Sequence, residues 1–323
     1  MFRIKISFLA VITFLIVFGI LSWYTFKYFR SDNCIKEYSW INIQLRCVEK
    51  PIIKKTEYKN FKQTLLEKIE SYKAEQKVTS VAVYFRDLSN GPIFGINELE
   101  EFIPASLLKV PLMMTYFRIA EEKPSLLDDN ISYNRDDAEL AQTVAPSETL
   151  EKRKEYSVMY LIGKLIIDSD NRAFIALKDN LDAVYPQKDL LLETYHEVGV
   201  INLGGNLENT LNIKSYASVF RLLYNASYLS KKYSDLALDY LAHSSYKEGL
   251  RAGVPANIPM AHKFGERFSE QGKQLHECGI IYFPGNPYLL CVMTKGQDFA
   301  QLAGILQDIS KAVYEEVNSR LIK

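Results

Sequence analysis

Hydrophobic and polar positions fall into three successive patterns along this chain. Residues 6–26 carry no charge and are dominated by Phe, Leu, Ile and Val, a run of the length a bilayer-spanning helix needs. Arg3 and Lys5 precede it, Trp23 and Tyr24 stand where interfacial aromatics belong, and Lys27 and Arg30 follow. No Ala-x-Ala cleavage site closes the run, so one N-terminal transmembrane helix is expected rather than a removed leader. A polar, Lys-rich stretch then leads to about residue 59. Beyond it Phe61, Leu65, Ile69 and Tyr72 recur at helical spacing and predict a helix over 61–76. A β-branched and aromatic run over 78–87, the turn Ser89-Asn90-Gly91-Pro92 and a return over 93–97 predict a hairpin.

From residue 106 to about 243 the period is helical. Helices are predicted over 106–121, 156–167, 171–181, 214–224 and 235–242. Strands return over 260–265, 278–283 and 288–294, the last two as a hairpin about Pro284-Gly285-Asn286. Phe299, Leu302, Leu306, Ile309, Val313 and Val317 then form the apolar stripe of a closing helix. The strand–helix alternation of a doubly wound fold is missing. The pattern predicts an α+β domain: one antiparallel sheet assembled from two separated sets of strands, terminal helices flanking it, and an all-helical lobe. A site is expected in the cleft between the lobes. The expected division is an anchor over 1–30, a tether over 31–59 and a globular domain over 60–323.

Composition adds three constraints. A hydrophobic content of 48% supports a large core. Lys plus Arg and Asp plus Glu both number 39 and are scattered, which argues against a nucleic-acid binder. The four histidines (196, 243, 262, 276) are dispersed and no Cys-x-x-Cys occurs, so neither a metal nor another cofactor is expected. The four cysteines could form two disulfides in an oxidising compartment. Cys34 and Cys47 flank a short segment after the anchor; Cys278 and Cys291 would face each other across the last hairpin. The first pair is the more expected. Anchor and cysteines together place the globular part outside the cytoplasm.

Three short motifs carry the chemistry. In Ser106-Leu107-Leu108-Lys109 the hydroxyl and the amine share a helix face. A hydroxyl becomes a nucleophile when a base takes its proton, and a lysine serves as that base when burial lowers its pKa. The apolar flanks provide such burial. Ser169-Asp170-Asn171 follows the apolar helix on a tight connector. His262-Lys263-Phe264-Gly265-Glu266 ends a predicted strand, where a cation and a glycine can border a cleft. Each is common alone: a capping serine, a capping connector and a surface lysine are the ordinary readings.

Taken together and in this order, the motifs resemble those of the penicillin-recognising active-site serine hydrolases, above all the class A β-lactamases. The resemblance spans about 61–323 and implies a β-lactamase/transpeptidase-like fold. It implies acylation of Ser106, activation by Lys109, proton transfer to the leaving nitrogen through Ser169, and electrostatic support from Lys263. It further implies substrate binding by Asn171 and Gly265 and an oxyanion hole from the N–H groups of Ser106 and Glu266. The substrate would be a β-lactam, or alternatively a peptidoglycan stem peptide in a D,D-peptidase. A non-turnover sensor that stays acylated is the third reading. Two departures stand out. The loop that carries the deacylating Glu in class A enzymes looks shortened, leaving Glu197 and Glu208 as candidates. Phe264 replaces the Thr or Ser that holds the β-lactam carboxylate, with Arg267, Ser269 or His262 as conceivable substitutes.

Overall fold

A computed structural model describes residues 17–19, 21–22, 38–45, 58–89, 91–135, 150–200, 210–269 and 272–321. The expected anchor, Cys34, Cys47 and Glu208 lie outside these, apart from the five residues at 17–22. Among the described residues no helix is long and apolar enough to cross a membrane.

The sheet forms as expected, from strands far apart in sequence. Its members are β1 (Ser80–Asp87), β2 (Ile93–Ile96), β7 (Met260–Ser269), β8 (Gly272–Ile281) and β9 (Tyr288–Gly296). They run antiparallel in the order β2-β1-β9-β8-β7, so β7 is an outer strand. Strand alternation divides the core in two. Val81, Val83, Phe85, Leu290 and Val292 face the terminal helices α1 (Lys59–Ala74) and α8 (Phe299–Leu321), which contribute Leu65, Ile69, Leu302, Leu306, Ile309 and Val313. Ala82, Tyr84, Ile280, Leu289 and Met293 face the helical lobe.

That lobe is built around α2 (Lys109–Glu122), whose residues from Lys109 to Phe117 are all buried. Around it lie α3 (Val158–Ile167), α4 (Asn171–Val184), α5 (Leu190–Glu197), α6 (Ile213–Tyr224) and α7 (Lys231–Ala242). Two two-stranded ribbons, absent from the sequence-based expectation, close its edges. They pair β3 (Glu101–Phe102) with β6 (Leu211–Asn212) and β4 (Asn130–Ser132) with β5 (Glu155–Ser157).

Within the expected tether, residues 38–45 are seated on this lobe. Asp235 accepts the N–H groups of Ser39, Trp40 and Ile41, Trp40 Nε1 donates to Asp239 at 3.1 Å, and Ile41 is buried. Cys278 and Cys291 occupy directly opposed positions of β8 and β9, with Cα atoms 3.9 Å apart, and are joined as a disulfide.

Candidate active site

The segment that carries Ser106 is a 3-10 turn, Ala105–Leu108, that runs into α2. A single helix over 106–121 was expected, and Pro111 explains the difference. Proline lacks an N–H and its ring clashes with the carbonyl four residues back. The α-helix therefore begins at Lys109, where Pro111 falls in the first turn. The freed carbonyl of Leu107 accepts the hydroxyl of fully buried Tyr216 on α6, at 2.9 Å. Ala105 holds φ at +50°, a left-handed conformation that costs a non-glycine residue roughly 1–2 kcal/mol. Half-buried Ser106 thus stands on a strained turn at the lobe boundary.

Three groups from the sheet fix this turn. Ile103 N–H donates to Gln274 Oε1 and Ile103 carbonyl accepts His276 Nε2, both at 3.1 Å. His276 Nδ1 accepts Thr294 N–H at 3.3 Å, so the ring is a neutral Nε2–H tautomer, and burial pushes its pKa down to about 3. Gly265 is the third. A Cβ there would lie 2.8 Å from Pro104 O and 3.1 Å from Leu107 N, so β7 reaches the turn only because this residue lacks a side chain.

Lys109 is buried beneath the turn. Its Nζ donates to Ser169 O, to Asn171 Oδ1 at 2.7 Å and to Ser169 Oγ at 3.2 Å. Burial brings its pKa down to about 7, against the opposing pull of Asp170 and Glu266. Ser169 has φ of +56° between α3 and α4, which turns its side chain inward to full burial. Asp170 fixes that connector by capping α4, accepting the N–H groups of Arg172 at 2.7 Å and Ala173 at 3.2 Å. Burial raises its carboxyl pKa. From β7, fully buried Lys263 donates to the same Ser169 hydroxyl at 2.7 Å and to Phe264 O at 3.0 Å. Burial first, and Lys109 second, push its pKa well below the ordinary lysine range.

One serine hydroxyl therefore bridges two buried lysines, and Asn171 holds the first of them. The three motifs, distant in sequence, meet at one point. Phe264 turns to the other side of β7, stacking on Tyr246 with ring centroids 4.2 Å apart. Of its conceivable substitutes, His262 is buried against Glu277 and Ser269 Oγ donates to Gly272 O, which leaves exposed Arg267. Glu197 is not brought to the site: it is exposed, accepts Tyr228 OH at 2.7 Å, and lines a separate cavity of about 270 Å³ with Arg221 and Asn225. Tyr216, Gln274 and His276 were missed in the sequence, where nothing marks single polar residues that act on distant backbone. Among the described residues no His, Cys, Asp or Glu cluster is arranged to hold a metal ion.

The family model described as "Beta-lactamase enzyme family" matches residues 63–317. The chain belongs to that family. It is accordingly a hydrolase of the β-lactamase type. Among solved structures it is similar to PBP-A, at 21% identity and a TM-score of 0.65, over 79% of this chain and 96% of that one. It is similar to a mutant of PBP-A, an acyl-enzyme complex with penicillin G, at 21% identity, TM-score 0.66, over 80% and 97%. A class A β-lactamase from Mycobacterium abscessus aligns at 20% identity and TM-score 0.66, over 79% and 99%. These likenesses establish the β-lactamase/transpeptidase-like fold. No curated protein matches the chain by sequence.

Proposed function

We propose that this chain is a membrane-anchored, extracytoplasmic serine hydrolase of the class A β-lactamase type, acylated on Ser106 by the amide of a β-lactam. The observation that carries the reading is the lysine–serine–lysine cluster, in which Lys109 is buried and titrates near 7. Lys109 as free amine takes the proton of Ser106 Oγ, which attacks the amide carbonyl. The N–H groups of Ser106 and Glu266 receive the oxyanion. The C–N bond breaks as Ser169 gives its proton to the leaving nitrogen and regains one from the lysine side. The products are an ester on Ser106 and a protonated amine, and water then hydrolyses the ester. Asn171 orients Lys109 and the substrate amide, and Gly265 lets the substrate strand approach β7.

A second reading is favoured by Glu197, which is bound to Tyr228 rather than to this cluster. In it the acyl-enzyme persists, as in a D,D-peptidase acting on peptidoglycan stem peptides or in a sensor. A penicillin is the apt probe because a PBP-A mutant of similar fold forms an acyl-enzyme with penicillin G. Rapid loss of a penicillin label supports the lactamase, whereas a stable label with no hydrolysis supports the peptidase or sensor. The anchor is checked by fractionation. Full-length protein should sediment with membranes and a chain lacking residues 1–30 should not; a soluble full-length protein removes the anchor from the reading.

A further inference from the structure

Away from the lysine–serine–lysine cluster, the helical lobe holds a cavity whose walls carry opposite charges that do not meet. It lies between the end of α5 and α6, has a volume of about 270 Å³, and is lined by Glu197, Val198, Arg221, Leu222 and Asn225 among others. One water takes up roughly 30 Å³ of the liquid, and sites for drug-sized ligands span roughly 300–1,000 Å³. The space therefore suits a small molecule. Arg221 Nε is buried there with no hydrogen-bond partner, and among the described residues no acid lies within ion-pair distance of its guanidinium. A buried donor ordinarily has an acceptor.

Glu197 lines the same cavity, yet the two charges do not close on each other. Tyr228 OH holds the carboxylate by donating to Oε2 at 2.7 Å, which leaves Oε1 as an acceptor. Asn42 Nδ2 donates to Asn225 Oδ1 at 3.0 Å, so the NH2 end of Asn225 remains to donate. Buried Val198 and half-buried Leu222 supply an apolar wall. A guanidinium and a carboxylate held apart across one small cavity are the complement of a zwitterion. Arginine meets a carboxylate with two parallel N–H···O bonds, and a carboxylate accepts from an ammonium. We propose that this cavity binds a free α-amino acid with a small apolar side chain. Its carboxylate lies on Arg221 and Asn225, its ammonium on Glu197, and its side chain against Val198 and Leu222. A simple anion would meet Glu197 as a repelling charge, and a simple amine would leave Arg221 Nε unsatisfied. The site stands whether or not Ser106 is acylated.

Isothermal titration of the full-length protein in detergent with D-alanine, L-alanine, acetate and ethylamine is the test. At least one alanine should bind. Acetate and ethylamine should each bind about tenfold or more weakly than that alanine, because each lacks one charge-assisted contact. Arg221→Met should weaken alanine binding by about tenfold or more. Glu197→Gln should bring alanine down to the affinity of acetate. Arg221→Lys, which keeps the charge but not the paired donors, should fall between wild type and Arg221→Met. A folded wild type that binds neither alanine at millimolar concentration overturns the proposal. So does acetate or ethylamine binding as tightly as alanine, or alanine binding that is unchanged in Arg221→Met. Should a variant not fold, the wild-type comparison of alanine with acetate and ethylamine decides.

Discussion

At the scale of single residues, the site depends on where protons reside. Burial brings the Lys109 pKa down to about 7, so the free amine that the proposed acylation needs and the cost of burying it have one origin. Labelling by penicillin should rise with pH through about 7, as the amine is freed. Lys109→Met should remove that rising limb and slow labelling roughly 10²–10⁴-fold, the usual worth of general-base catalysis. Stability should respond with the opposite dependence on charge. The folded chain releases the Lys109 proton near 7, whereas an unfolded lysine keeps its proton to about 10.4. Between these values the unfolded chain binds more protons, so stability should increase with pH. Urea midpoints at pH 7 and 9 check this, and the contribution should vanish in Lys109→Met. That Lys109, Ser169, Asn171 and Lys263 converge was legible in the sequence because their motifs are local. The support that His276 gives the Ser106 turn was not, since its partner, the Ile103 carbonyl, is reached only through the fold.

At the scale of elements, helix and strand periodicity located the larger units, and the errors have physical causes. The helix predicted from 106 starts at Lys109 because Pro111 tolerates no earlier start. Of helix α5 over Leu190–Glu197 only its end at Glu197 showed in the sequence, and the short ribbons escaped, because all are too brief for a period to declare itself. Gly265 was read as a place of close approach, and it abuts the turn that carries Ser106. Gly265→Val should push β7 off Pro104 and Leu107, lowering stability by about 1–3 kcal/mol. Labelling should fall while far-ultraviolet circular dichroism stays unchanged, and a fully active variant would contradict the role of Gly265. The Cys278–Cys291 link was legible from the hairpin's symmetry about Gly285, although the other pair had been favoured. Replacing both cysteines by alanine should cost about 2–4 kcal/mol, read as a lowered denaturant midpoint. An unchanged midpoint would show that the strand register alone holds the hairpin.

At the scale of the whole molecule, the sheet lies between two cores, and β7 is the strand whose Lys263 meets Ser169 of the helical lobe. Segments 38–45 and 299–321 bind opposite sides of that assembly. Removing residues 38–45 should therefore destabilise the helical lobe. It would leave Asp235 without its three backbone donors and expose the pocket of Ile41, a loss measurable as a lowered melting temperature.

The account stands on acylation of Ser106, and one measurement reaches it directly. Intact-mass spectrometry of the protein after incubation with a penicillin should show one added penicillin, located by peptide mapping to Ser106 and absent from Ser106→Ala. An unlabelled wild type, or a Ser106→Ala protein that gains the same mass, would contradict it.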